Sequence, residues 1–377
     1  MVHHRRDRGT WRHVWTAATV ILLYLAVHVR ANAQSQPIKR AVTSQEAEGT
    51  VHLGPREIPI PALISSKAQS AMKDAYARPT IKLPEATADR QTWKRAIAAA
   101  DRAYAPLAKA TLNSAAAKVE PRTIGGVTVY VGRADAIPPS RAHRAILYIH
   151  GGAFILLADG PYAEGLAASS AALCRCTSYS VNYRAPPDYP FPAALDDIVA
   201  VYRELLKSYA PRDIAIEGES AGGNLAAAAT LKIRDLGLPM PAMAILLSPA
   251  VDLTVSGDSH RTNLGLDAVL KNDLPAVIAL YGGGQDLRQP YLSPVFGDFN
   301  KGFPPTFIKA GGREILLSDA ILMHRALRRA GIEADLEIWE GMSHGPFSAK
   351  PHSDVPEDQE VLSEIRDFLG RHWGDAR

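Results

Sequence analysis

Residues 212–226 read Arg-Asp-Ile-Ala-Ile-Glu-Gly-Glu-Ser-Ala-Gly-Gly-Asn-Leu-Ala. The apolar run Ile214-Ala215-Ile216 predicts a buried strand, and the alanine-rich, proline-free stretch 221–236 predicts a helix. Between them stands Ser220, with Gly218 and Gly222 two residues to either side. A strand can turn this sharply into a helix only where glycine leaves the backbone room to close. The helix behind the turn aims free N–H groups and positive partial charge at any anion forming there. A bare Gly-x-Ser-x-Gly is weak evidence of anything. Between a strand and a helix, it predicts a nucleophile elbow rather than a glycine-rich turn.

Outward from this point the chain alternates the two periodicities. Upstream, residues 123–133 predict a hairpin turning at Gly125-Gly126, and 143–152 a strand running into a glycine loop. A helix over 163–173, a strand over 177–184 and a helix over 191–209 follow. Downstream come strands over 243–250, 305–312 and 334–341, with helices over 319–330 and 355–371. Continuous apolar strands alternating with amphipathic helices predict an α/β fold, a mainly parallel sheet covered on both faces. In such folds ligands bind beyond the C-terminal ends of the strands, so functional residues should stand just after them.

Four strand ends satisfy that filter. After the elbow, the second is His150-Gly151-Gly152-Ala153-Phe154. Its glycines let backbone N–H groups of Gly151 and Gly152 approach a substrate and, with that of Ala221, form an oxyanion hole. His150 is expected to hold that loop by hydrogen bonds. The third and fourth are Gly311-Gly312-Arg313-Glu314 and Gly341-Met342-Ser343-His344-Gly345. A serine hydroxyl is a poor nucleophile until an imidazole takes its proton, and the imidazole needs a carboxylate to fix its tautomer. The order Ser220, acid, His344 is the one such a sheet imposes. Of the 12 histidines, His344 is the one just past a late strand in a glycine-flanked loop. For the acid, Asp319 reads as a first-turn carboxylate behind an Ser318 N-cap, serving the helix dipole. That leaves Glu314.

HGGAF at 150–154, GESAGGN at 218–224, NYRAPPDYPFPAAL at 182–195 and WEGMSHGPF at 339–347 together resemble the hormone-sensitive lipase family of α/β-hydrolases, in its bacterial esterase and acetyl-hydrolase branch. The resemblance spans roughly residues 60–372. It implies an α/β-hydrolase fold with an N-terminal helical cap, a Ser220–Glu314–His344 triad, and an oxyanion hole at Gly151, Gly152 and Ala221. It departs from the family at Ala153, where a third glycine is usual, and at Glu219, where Asp or Thr is usual. The family's acidic run is matched by Glu314-Ile315-Leu316-Leu317-Ser318-Asp319. Aligned on its leucine, Glu314 takes the catalytic position and Asp319 the second. The activity implied is hydrolysis of short- to medium-chain acyl esters through an acyl-enzyme, with a lactone or amide as alternative substrate. A non-catalytic binding protein on the same scaffold would have no reason to keep the serine, the histidine and the glycine loop together.

Composition narrows the partners. In 377 residues, 42 Lys+Arg stand against 39 Asp+Glu, a formal charge of +3. That offers no basic stripe for nucleic acid. Hydrophobic residues at 47% and charged residues at 21% are those of a folded globular chain. Two cysteines, Cys174 and Cys176, are too few for a disulfide scaffold or a structural zinc. Two apart near a helix end, they should point away from each other as ordinary thiols. Neither a P-loop nor a G-x-G-x-x-G is present, so no cofactor is implied. The expected partner is a small-molecule ester, and a homodimer is left open.

The first 33 residues read as a segment apart. Four arginines precede the apolar run 14–29, which ends near Ala31-Asn32-Ala33. This is the n-region, h-region and A-x-A order of a secretory signal peptide, predicting a periplasmic or secreted protein. The competing reading is a retained anchor, but sixteen residues rise only about 24 Å as a helix, short of the roughly 30 Å hydrocarbon core. Cleavage after Ala33 removes five arginines and one aspartate, so the 42 and 39 charged groups become 37 and 38. No later stretch is apolar enough for stable membrane insertion. The expected organisation is a signal peptide at 1–33, an N-terminal arm and helical cap at 34–117, and a catalytic domain at 118–377. Within the cap, Pro79, Pro84 and Pro106 should break residues 66–117 into several short helices.

Overall fold

A computed structural model of the chain describes residues 54–374, apart from 79, 81, 115, 157–160, 272–273 and 346–353. The signal segment and most of the arm lie outside these residues. The described residues from Ile58 onward form one compact unit. Helices α1 (Ser66–Ala77) and α2 (Arg90–Ser114) therefore belong to the same unit as the sheet. Strand β1 begins at Ala117.

That sheet has eight strands: β1 (Ala117–Ile124), β2 (Val127–Ala134), β3 (Ala145–Ile149), β4 (Thr177–Val181), β5 (Ile214–Glu219), β6 (Met243–Leu247), β7 (Thr306–Gly311) and β8 (Ala334–Trp339). Their order is β1-β2-β4-β3-β5-β6-β7-β8. β1, β2 and β4 pair antiparallel, and every pair from β4 through β3 to β8 is parallel. All the strand C-termini from β3 to β8 thus open on one edge.

Strand alternation sorts the core into two layers. Leu147 and Ile149 of β3, Ile214 and Ile216 of β5, and Ala244 and Leu246 of β6 face α4 (Ala193–Leu205), α5 (Ala221–Asp235) and α8 (Leu317–Arg329). Ile146, Tyr148, Ala215, Met243 and Ile245 face α3 (Pro161–Cys174) and α9 (Pro356–Trp373). This period-two split explains why the central strands are apolar throughout. Each large side chain buried here contributes about 1.5–3 kcal/mol.

Three expectations fail for tertiary reasons. α2 is one 25-residue helix running through Pro106. The missing amide hydrogen bond is tolerated because Trp93, Ile97 and Ala100 pack on Ile155 and Leu156. Cys174 and Cys176 form a disulfide instead of standing as free thiols. Arg175, at φ +52°, turns the chain out of α3 there and brings the two Cα atoms to 5.2 Å. Helical geometry no longer applies to the pair. Finally, α8 starts at Leu317 with Leu316 before it, so Ser318 is not its cap. Its hydroxyl instead accepts the Ser259 amide at 2.9 Å.

The segment between β6 and β7 carries no strong periodicity in sequence. It holds the one-turn helix α6 (Ser259–Thr262) and α7 (Pro275–Gly282). Both prove central to the site.

Candidate active site

The elbow forms as its sequence requires. Ser220 sits at φ +57° and ψ −121°, a conformation that an L-residue adopts only when its surroundings enforce it. The Ser220 amide donates to Leu247 O at 2.8 Å, and its carbonyl accepts from Asn224 and Ala250 amides, both at 3.2 Å. A Cβ at Gly218 would lie 2.1 Å from Gly222 O, and one at Gly222 would lie 2.1 Å from Ile149 O. No side chain fits at either place.

The loop after β8 brings His344 to the serine. His344 Nε2 is 3.0 Å from Ser220 Oγ, and His344 Nδ1 is 3.2 Å from Glu314 Oε2. An ionised carboxylate only accepts, so Nδ1 carries the proton and Nε2 is free to accept from the serine hydroxyl. Glu314 is wholly buried and His344 nearly so. Burial opposes charge on the imidazole. The Glu314 hydrogen bond and the negative charges of Glu314, Asp267 and Glu219 outweigh it, holding the His344 pKa above its ordinary 6.5.

Asp319, the other acid of the run, turns elsewhere. Its Oδ1 lies 2.9 Å from His260 Nε2 and its Oδ2 accepts the Asp252 amide at 2.9 Å. It is fully buried, not an exposed charge serving a helix dipole. Burial pushes its pKa up to about 6 against the opposing pull of His260 and the Asp252 amide.

The glycine loop after β3 lies against the elbow: a Cβ on Gly151 would stand 3.0 Å from Glu219 O and 3.3 Å from Ser220 Cβ. Gly152, Ala153 and Phe154 follow with φ of +102°, +52° and +66°. Ala153 thus occupies a left-handed position that glycine would fill without strain. His150 is buried, with Nδ1 2.8 Å from Gly151 O and its ring stacked on Tyr183 at 4.2 Å. Ala221 opens α5 directly after the serine, completing the set that the sequence singled out.

Beside Ser220 opens a narrow apolar pocket of about 40 Å³. Phe154, Leu253, Val255, Leu270, Leu274 and Val277 form most of its wall, and His260 and Asp319 border it. Trp93 packs in the adjoining cluster with Ile155, Leu156 and Val277. Among the described residues, no group of three or more His, Cys, Asp or Glu side chains is placed to hold a metal ion.

Sequence reasoning missed Asp267, His260 and Asp252. All three lie between β6 and β7, all are buried, and no motif flagged them. The only available signal was a cluster of polar residues in a chain that the pattern left unassigned.

The sequence profile of a family described as alpha/beta hydrolase fold matches residues 146–348. The chain belongs to that family. It is similar to an acetyl-hydrolase of Streptomyces hygroscopicus, 38% identical over 258 residues, which are 66% of this chain and 83% of that protein. It is also similar to an esterase of Acinetobacter venetianus, 34% identical over 60% of this chain and 75% of that one. Among solved structures, the esterase E25 superposes with a TM-score of 0.79 at 33% identity, covering 86% of this chain and 99% of that one. An esterase from the bacterial hormone-sensitive lipase family superposes at 0.67 with 29% identity, covering 82% and 99%. The resemblance carried by the four motifs extends through the α/β-hydrolase fold of this chain. No helix among the described residues is long and apolar enough to cross a membrane.

Proposed function

We propose that this chain is a serine hydrolase of carboxylic esters, acting on short- to medium-chain acyl groups through an acyl-enzyme. One observation carries the reading: a continuous relay from Glu314 through His344 to Ser220 at the wall of an apolar pocket. Ser220 Oγ attacks the ester carbonyl while its proton passes to His344 Nε2. The oxyanion is held by the amides of Gly151, Gly152 and Ala221. Collapse breaks the bond to the alcohol, which leaves with the proton from His344. Water then repeats both steps on the acyl-enzyme, releasing the acid and the free serine. Glu314 fixes the tautomer and stabilises the imidazolium. Helix α2, packed on the outer side of the glycine loop and α7, serves as the cap over the pocket.

The test is a kcat/KM profile for p-nitrophenyl esters of increasing chain length, each followed across pH. Short and medium chains should be hydrolysed best and palmitoyl poorly, because the apolar pocket beside Ser220 is small. Since the base must be neutral and its pKa is raised, kcat/KM should climb with pH through an inflection above about 6.5. Uniform rates across all chain lengths, or no hydrolysis at all, would contradict the reading.

We further propose that the protein is exported. The basic start, short apolar run and A-x-A site support it. So does the Cys174–Cys176 bridge, because disulfides persist in oxidising compartments and are rare in the cytosol. N-terminal sequencing of protein from outside the cytoplasm should begin at or near Gln34; intact Met1 on cytoplasmic material would overturn this.

A further inference from the structure

The segment before α7 reaches two loops of the site at once. Asn263 Nδ2 donates to Gly312 O and Glu314 O, at 3.3 and 2.9 Å. The Ala268 amide donates to the buried Ser343 hydroxyl at 3.1 Å. Between these ties lies Asp267, whose carboxylate accepts four backbone amides. Val269 and Leu270 donate to Oδ1 at 2.9 and 3.0 Å, His344 donates to Oδ1 at 3.4 Å, and Ile315 donates to Oδ2 at 3.2 Å. The donors come from three stretches: its own loop, the residue after Glu314, and His344 itself.

Asp267 is only 1% exposed, and among the described residues no lysine or arginine pairs with it. Amide dipoles alone therefore answer its charge until His344 becomes protonated. Glu314 is a second carboxylate in the same buried region, and the two repel. A device for tying loops would need only neutral acceptors, such as an asparagine or serine oxygen, without that repulsion. The negative charge has a return only if it acts on the imidazole.

We propose that Asp267 is the positioning residue of the acid–base pair, orienting the His344 loop through the amides and supplying a second negative charge to the imidazolium. This rests on the hydrolase reading and extends it. Three carboxylates surround His344: Glu314 after β7, Glu219 at the end of β5 and Asp267 from the segment before α7. Burial keeps the Asp267 pKa above the usual carboxylate range, with His344 pulling the other way.

The test compares full-length wild type with Asp267→Asn and Asp267→Ser. The His344 ring resonance, assigned by its loss in His344→Asn, is followed through a pH titration by NMR. In parallel, kcat and KM for p-nitrophenyl acetate are measured across pH. In both neutral variants, the His344 titration and the acid limb of kcat/KM should move down by about one pH unit, a tenfold loss of proton affinity. The plateau kcat should fall about tenfold with KM within about twofold, because the lost charge stabilises an imidazolium formed only during reaction. An unmoved titration, or failure of both variants to fold, would overturn the proposal and leave Asp267 a structural tie. The titration needs no turnover. A wild type that hydrolyses no ester but shows the shift would sink the hydrolase reading alone.

Discussion

Ser220→Ala is expected to lower kcat/KM for the best p-nitrophenyl ester by roughly 10⁵- to 10⁶-fold while leaving the fold intact. Alanine accepts the same backbone conformation as serine at φ +57°, and the elbow is held by backbone hydrogen bonds that the substitution does not touch. What disappears is the hydroxyl oxygen 3.0 Å from His344 Nε2, the atom expected to bond covalently to an acyl group. The residual rate should be that of a site that still binds substrate and still offers amides to an oxyanion. A fluorophosphonate probe gives the direct check: wild type should carry one covalent adduct and Ser220→Ala none. Equal labelling of the two would place the nucleophile elsewhere.

The second large effect separates the two acids of the 314–319 run. Glu314→Gln should lower kcat by roughly 10³- to 10⁴-fold with little change in stability. The amide can offer an N–H to Nδ1, which favours the tautomer that cannot accept the serine proton. Asp319→Asn should do the opposite. Its partners are His260 and the Asp252 amide, so its loss should cost about 1–3 kcal/mol of stability and leave most of kcat. This exceeds what a helix-terminus charge on the surface would give. Thermal melts and turnover of one short-chain ester settle both. Near-wild-type turnover in Glu314→Gln with collapse in Asp319→Asn would mean that His344 takes its carboxylate from Asp319.

The two acids also show where sequence stops being legible. Both stand in one run after one strand, and chain position alone cannot say which side chain turns towards which histidine. Glu314 is 30 residues from His344, and Asp319 is 59 from His260. Those pairings follow from how the β7 loop, α8 and the segment before α7 are stacked. Asp267 illustrates the same limit more strongly, since it meets His344 across 77 residues from a stretch with neither helical nor strand period.

By itself, the sequence determined the parallel sheet, the elbow at Ser220, the glycine loop at Gly151 and Gly152, and the strand end that carries His344. Each of these is written in local terms: a backbone turn that only glycine permits, an apolar period of two or 3.6, a residue type placed just beyond a strand. Tertiary structure alone decided the unbroken α2, the Cys174–Cys176 bridge, the partner of each buried acid and the wall of the pocket. A proline inside a helix is overridden when the helix face is buried, and one residue at φ +52° redirects two cysteines. A buried carboxylate goes wherever amides and an imidazole converge on it. Those outcomes depend on contacts between distant segments, and no local pattern encodes them.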